Sequence, residues 1–121
     1  MTSILTVDDS ASIRQAIKIA LSAEGYQISE AANGAEGLTK ASAGGFALII
    51  TDLNMPVMDG LSMIRALRSK PNGAGVPILF LTTESDADVK SEARAAGATG
   101  WLTKPFAADQ LVKVVKKVLA S

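Results

Sequence analysis

Four short apolar runs in this chain stop on a residue able to do chemistry: residues 4–7 on Asp8 and Asp9, 46–51 on Asp52, 77–81 on Thr82, and 101–103 on Lys104. Three carboxylates brought into a small space raise one another's pKa unless a cation intervenes. The chain has no His and no Cys. Disulfides, thiolate catalysis, Ser-His-Asp triads, phosphohistidine carriage and His- or Cys-ligated metals are therefore excluded, and any metal must be a hard cation on oxygen ligands. Mg²⁺ is the natural occupant, held by one or two carboxylates with positions left for water and a phosphate oxygen. A lysine point charge and a threonine hydroxyl suit the equatorial oxygens of a phosphoryl group. Each residue also has a plainer reading. Asp9 or Ser10 could cap a helix, Asp52 head a turn, Thr82 and Thr83 sit in a strand, and Lys104 lie solvated in a loop. Their joint placement at the ends of apolar runs carries the chemical reading.

The elements that must position these residues follow from periodicity. Ile13, Ala16, Ile17, Ala20 and Leu21 recur at three- and four-residue spacing, predicting a helix that ends near Gly25. Residues 26–31 alternate as an edge strand would, Asn33-Gly34 supplies a turn, and a second helix is predicted from Ala35 to about Ser42. Residues 46–51 are the most continuous apolar run and read as a strand covered on both faces. Leu61, Ile64 and Leu67 share a third helical face that the Pro71, Asn72, Gly73, Gly75 cluster ends. Residues 86–96 have helical composition with Val89 as their one large aliphatic side chain, so weak anchoring is expected. Leu111, Val114, Val115 and Val118 mark a last amphipathic helix. Five strands alternating with five helices imply a parallel sheet with helices on both faces, and such sheets bind ligands beyond the carboxyl ends of their strands.

At 121 residues the chain is sized for one domain, burying roughly two thirds of its unfolded surface. Twelve basic side chains balance twelve acidic ones, so no nucleic-acid or anionic-membrane footprint is expected. No apolar stretch approaches the roughly 20 residues of a membrane span, and a cytoplasmic monomer is the expectation.

Asp8-Asp9 after the first strand, Asp52 after the third with Met55-Pro56 and Met58-Asp59-Gly60 following, Thr82 after the fourth and Lys104-Pro105-Phe106 after the fifth resemble the receiver domain of two-component response regulators. Among receivers the sequence is most similar to the single-domain chemotaxis type. The resemblance covers residues 1–121 as one receiver domain and leaves no room for an output domain. It implies an α/β, flavodoxin-like fold, a three-layer doubly wound (βα)5 with a five-stranded parallel sheet in the order 2-1-3-4-5.

The same resemblance implies that Asp52 attacks a phosphohistidine on a sensor histidine kinase, or on its phosphotransfer domain, and becomes an acyl phosphate. Asp9, Asp52 and the backbone carbonyl of Asn54 would ligate Mg²⁺, with Asp8 acting mainly through water. Lys104 and Thr82 would attend the phosphoryl group, the Thr82 hydroxyl moving toward it. Trp101 would then swing inward, at a position where tyrosine or phenylalanine is commoner. Asn54 and Glu84 would flank the approach of water and modulate hydrolysis. The Lys104-Pro105 bond is a candidate for the cis form, against a base rate of about 5%. The fourth helix, the strand of Trp101 and the last helix would form the partner face. Lys113, Lys116 and Lys117 are either part of that face or a solvated surface near a helix C-terminus.

Within this reading the downstream effector could be a flagellar motor switch protein, or the chain could serve as a phosphate sink or relay. Two other classes compete. An aspartyl-phosphate hydrolase of the haloacid-dehalogenase type wants a second acid two residues after the nucleophile, where this chain has Asn54, so the expectation is a phosphoacceptor with autophosphorylation and autodephosphorylation only. A flavodoxin-like mononucleotide binder wants a phosphate-cradling loop where Asp8-Asp9 stand, and these would repel a phosphate in the absence of metal.

Overall fold

A computed structural model of the chain describes residues 2–83 and 87–120. Its elements are β1 (Ser3–Val7), α1 (Ala11–Ser22), β2 (Gln27–Ala31), α2 (Gly34–Ser42), β3 (Leu48–Asp52), α3 (Gly60–Arg68), β4 (Ile78–Thr82), α4 (Ala87–Ala96), β5 (Gly100–Thr103) and α5 (Ala108–Ala120). A single 3-10 turn, Pro71–Gly73, stands where the Pro and Gly cluster ends α3. The strands form one parallel sheet in the order β2-β1-β3-β4-β5. This is the doubly wound order expected.

Alternation along the strands divides the core. Ile4, Leu48, Ile50, Leu79, Leu81 and Leu102 pack with Ile17 and Leu21 of α1 and with Leu111 and Val115 of α5. On the opposite face Leu5, Val7, Ile49 and Ile78 pack with Ala41 of α2 and with Met63, Ile64 and Leu67 of α3. A third, small cluster seats α4, whose fully buried Ala93 joins Leu53 and Phe80 while Val89 packs at its margin. Weak anchoring of α4 thus follows from its alanine-rich inner face.

Three helices begin on polar caps that satisfy backbone donors lacking a partner within the helix. The Ile13 N–H donates to Ser10 Oγ at 3.3 Å, the Glu36 N–H to Asn33 Oδ1 at 2.9 Å and the Ser62 N–H to Asp59 Oδ1 at 2.8 Å. Of the two cap candidates for α1, Ser10 takes the role and Asp9 does not.

The strand limits differ from the sequence expectation by one or two residues. β3 starts at Leu48 and runs through Asp52, which pairs in register with Leu81, and β4 likewise runs through Thr82, paired with Thr103. A polar side chain does not end a parallel ladder whose backbone groups remain paired. Asp52 and Thr82 are therefore the last residues of their strands, while Asp8 and Lys104 come immediately after β1 and β5. The α4 limit expected at Asp86 lies outside the described residues. No helix among the described residues is long and apolar enough to cross a membrane.

Candidate functional site

The site lies on the carboxyl rim of the sheet, where β1, β3, β4 and β5 end side by side. Asp8 follows β1 and is fully buried. Its Oδ1 accepts the Ser10 N–H at 2.9 Å, and its Oδ2 lies 3.0 Å from Lys104 Nζ. Asp52 closes β3 at 8% exposure. Its Oδ1 accepts the Leu53 N–H at 2.8 Å and its Oδ2 lies 3.2 Å from the same ammonium. Lys104 therefore bridges two carboxylates from neighbouring strands. Asp9 is exposed at the mouth, and one carboxylate oxygen from each of Asp8, Asp9 and Asp52 lies within 4.8 Å of the others.

The electrostatics follow from this crowding. Burial pushes the Asp52 carboxyl above its ordinary value and Asp8 adds to the rise, while Lys104 and the Leu53 N–H oppose it. Burial alone would lower the Lys104 ammonium, but the hydrogen bond to Asp8 and the charges of Asp52 and Asp8 outweigh it and hold Lys104 above its ordinary value. Two of the three clustered carboxylates, Asp8 and Asp52, thus share one ammonium, and Asp9 stands beside them. An all-oxygen donor set of this kind, two of its members held on strand ends and one facing solvent, fits a hard divalent cation that retains water.

The remaining predicted residues fall around the same rim. Thr82 is buried at the end of β4, and its carbonyl accepts the Lys104 N–H at 2.8 Å. The Lys104-Pro105 peptide is cis, as the resemblance implies. Asn54 is exposed, and with Thr82, Leu61, Val89 and Glu92 it lines a cleft of about 340 Å³ beside the acids. Glu84 lies outside the described residues. Trp101 stands opposite Phe80 in the β4–β5 register, with ring centroids 6.3 Å apart, and is 36% exposed. Lys90 Nζ stands 4.6 Å and Arg94 5.6 Å from the Trp101 ring centroid, a pair of cation–π contacts from α4.

The lysines of α5 divide. Lys116 reaches Glu24 beyond α1 at 2.6 Å, and Lys113 shares a groove with Glu24 and Asp109, so both lie away from Trp101. Lys117 borders the groove under Trp101 with Val114 and Val118. The three-lysine grouping along sequence does not survive the helical turn, which sends neighbouring cations to different faces.

Three features were not visible in residue types and spacing. Gly60 opens α3 with its N–H donating to the Leu53 carbonyl at 2.9 Å, and a Cβ there would sit 2.1 Å from the Asp52 carbonyl oxygen. Val57 has φ of 70° at the centre of a turn in which the Met58 N–H donates to the Pro56 carbonyl at 2.7 Å. Arg14 of α1 donates from Nη1 to the Asp8 carbonyl at 2.6 Å. Its position one turn past the Ser10 cap was the available signal for Arg14.

Residues 4–116 match the response regulator receiver domain family, and the chain belongs to it. The solved structure of chemotaxis protein CheY4 from Vibrio cholerae is similar at 46% identity and a TM-score of 0.93, covering 98% of each chain. Response regulator TrrA of Thermotoga maritima, solved in complex with Mg²⁺-BeF, is 37% identical with a TM-score of 0.86 over 98% of this chain and 99% of that one. A curated relative, the transcriptional regulatory protein PrrA of Mycobacterium tuberculosis, is 36% identical over 96% of this chain but 49% of its own length. The chain spans about half the length of the curated relatives it matches.

Proposed function

We propose that this chain is the phosphoacceptor of a two-component relay, with Asp52 as acceptor in a Mg²⁺-dependent reaction. The observation that carries the reading is the bridge of Lys104 to Asp8 and Asp52, with Asp9 beside them. An Asp52 carboxylate oxygen attacks the phosphorus of a phosphohistidine on a partner kinase. The new bond is O–P, the P–N bond breaks, and the imidazole leaves with its electron pair and takes up a proton. A rigid strand end holds Asp52 for in-line approach, and the Leu53 N–H fixes the oxygen that does not attack. Lys104 neutralises charge on the phosphoryl oxygens, and the Thr82 hydroxyl turns toward them. Asp9, Asp52 and the Asn54 carbonyl would hold Mg²⁺, Asp8 acting through water. When bound, the ion neutralises the acid cluster and aligns donor and acceptor oxygens.

Asn54 stands two residues after Asp52, and a carboxamide cannot shuttle a leaving-group proton. The chain is thus a switch, not a turnover phosphatase, with Asn54 and Glu84 setting how water reaches the acyl phosphate. The output face is α4, β5 and α5 around Trp101, and the effector is a component of the chemotaxis and motility apparatus such as a flagellar motor switch protein. The near-full-length similarity to CheY4 supports this. The similarity to PrrA favours a second reading, a receiver serving gene regulation.

Incubating the chain with phosphoramidate tests the acceptor. A gain of one phosphoryl mass that needs Mg²⁺ and vanishes in Asp52→Asn is expected. Gain without Mg²⁺, or in the variant, would overturn the assignment. Binding of the phosphorylated chain to a flagellar switch protein, against none for the unmodified chain, is the outcome expected for the chemotaxis role.

A further inference from the structure

Arg14 has no part in the chemistry described above, yet its guanidinium bonds directly to the main chain of the acid loop. Its side chain is 18% exposed, far less than a helix-surface arginine. From Nη1 it donates 2.6 Å to the Asp8 carbonyl, and from Nε 3.2 Å to Glu30 Oε1 on β2. Glu30 is also met by Lys18 at 3.8 Å. The Asp8 carbonyl belongs to the peptide that joins Asp8 to Asp9, so the contact acts on the one bond linking two of the three carboxylates. The other side of the same loop is held by the Asp8 N–H donating to the Ala31 carbonyl at 3.1 Å and by the Ser10 N–H on Asp8 Oδ1.

We propose that Arg14 is a positioning residue of the acid site. Anchored on Glu30, it clamps the Asp8–Asp9 peptide and thereby sets where the exposed Asp9 carboxylate stands relative to Asp8 and Asp52. The inference rests on the reading of this cluster as a Mg²⁺ site. Mg²⁺ demands near-octahedral geometry at short distances, and partners one shell out that orient its ligands typically change affinity by about 10- to 100-fold when removed. The plain alternative, an ion pair tying α1 to β2, accounts for the bond to Glu30 but not for the shorter one to Asp8. A second alternative, that Arg14 acts only as a nearby charge, predicts the opposite sign. Deleting a cation next to an acid cluster would strengthen the hold on a divalent cation.

Calorimetric titration of the full chain with MgCl₂ separates these. Arg14→Gln is expected to weaken Mg²⁺ binding by about tenfold. Arg14→Lys keeps the charge without the two-pronged reach and is expected to rescue only part of the loss. Lys18→Gln, which removes the other cation on Glu30, is expected to bind as the parent does. In EDTA the Ser10 amide of Arg14→Gln is expected to exchange about tenfold faster, because the loop it reports on has lost its clamp. Parental or tighter Mg²⁺ affinity in Arg14→Gln would overturn the proposal, and if that variant does not fold, parental affinity in Arg14→Lys would do the same. Failure of the parent to take up Mg²⁺ would sink the site reading itself. The metal-free exchange of Ser10 in Arg14→Gln, unchanged from the parent, would then also dismiss the clamp.

Discussion

Asp52 is held where its own ionisation is unfavourable. Its folded pKa lies above the ordinary carboxylate value, chiefly through burial and then through Asp8. Protonated in both states at low pH, it contributes nothing. As pH rises through the ordinary carboxylate range to the raised folded value, the unfolded chain releases its proton first and stability falls. Lys104 has the complementary sign, because a raised ammonium stabilises the fold throughout neutral pH and loses that contribution only above the ordinary lysine range. In EDTA at neutral pH, Asp52→Asn should therefore be the more stable protein, by on the order of 1 kcal/mol. The advantage should shrink toward about pH 3, where Asp52 is largely protonated in the folded and the unfolded chain alike. Urea melts at the two pH values check this. Lys104→Met, which leaves Asp8 and Asp52 facing each other with no counter-charge, should lose about 2 kcal/mol under the same conditions. A different strain sits at Val57, a β-branched residue at φ of 70° and 83% exposed. The left-handed region disfavours branched side chains by roughly 1–2 kcal/mol. Val57→Asn should raise the urea midpoint, since asparagine tolerates that region and no buried contact is lost.

The β3–α3 connection and α4 are built to opposite specifications. The connection is stapled at both ends, by the Gly60 N–H on the Leu53 carbonyl and by the Gly34 N–H on the Met58 carbonyl at 3.0 Å. At Gly60 there is no room for a side chain, because the start of α3 abuts the carbonyl of Asp52 itself. Gly60→Ala should cost about 2–4 kcal/mol and displace the acceptor strand, measurable as a lowered melting temperature together with slower phosphorylation by phosphoramidate. By contrast α4 is seated by Ala93 and the margin contact of Val89. Elements with few buried apolar contacts open at low free energy. Amides of α4 should exchange with deuterium well before those of α1, which buries Ile17 and Leu21. Equal protection of the two helices would mean that α4 is not the yielding element beside Trp101.

For the whole molecule, much was legible because the fold and the site share one signal. Apolar runs ending on Asp8, Asp52, Thr82 and Lys104 both mark parallel strands and deliver their last residues to one rim. The angles at which elements meet were not legible. The close approach of Gly60 to Asp52 and the stacking of Lys90 and Arg94 on Trp101 depend on how adjoining elements turn against each other, and the turning of Lys116 toward Glu24 on helices far apart in sequence. Strand limits shifted for a related reason, since register with Leu81 and not side-chain polarity decides that Asp52 belongs to β3. The central claim is that this rim makes Asp52, and no other carboxylate, the phosphoryl acceptor. Borohydride reduction of the chain after treatment with phosphoramidate and Mg²⁺, followed by peptide mass mapping, locates the acyl phosphate directly, because reduction converts a phosphorylated aspartate into homoserine. Homoserine is expected at position 52 alone; homoserine in place of Asp8, Asp9 or elsewhere with position 52 intact would contradict Asp52 as the acceptor.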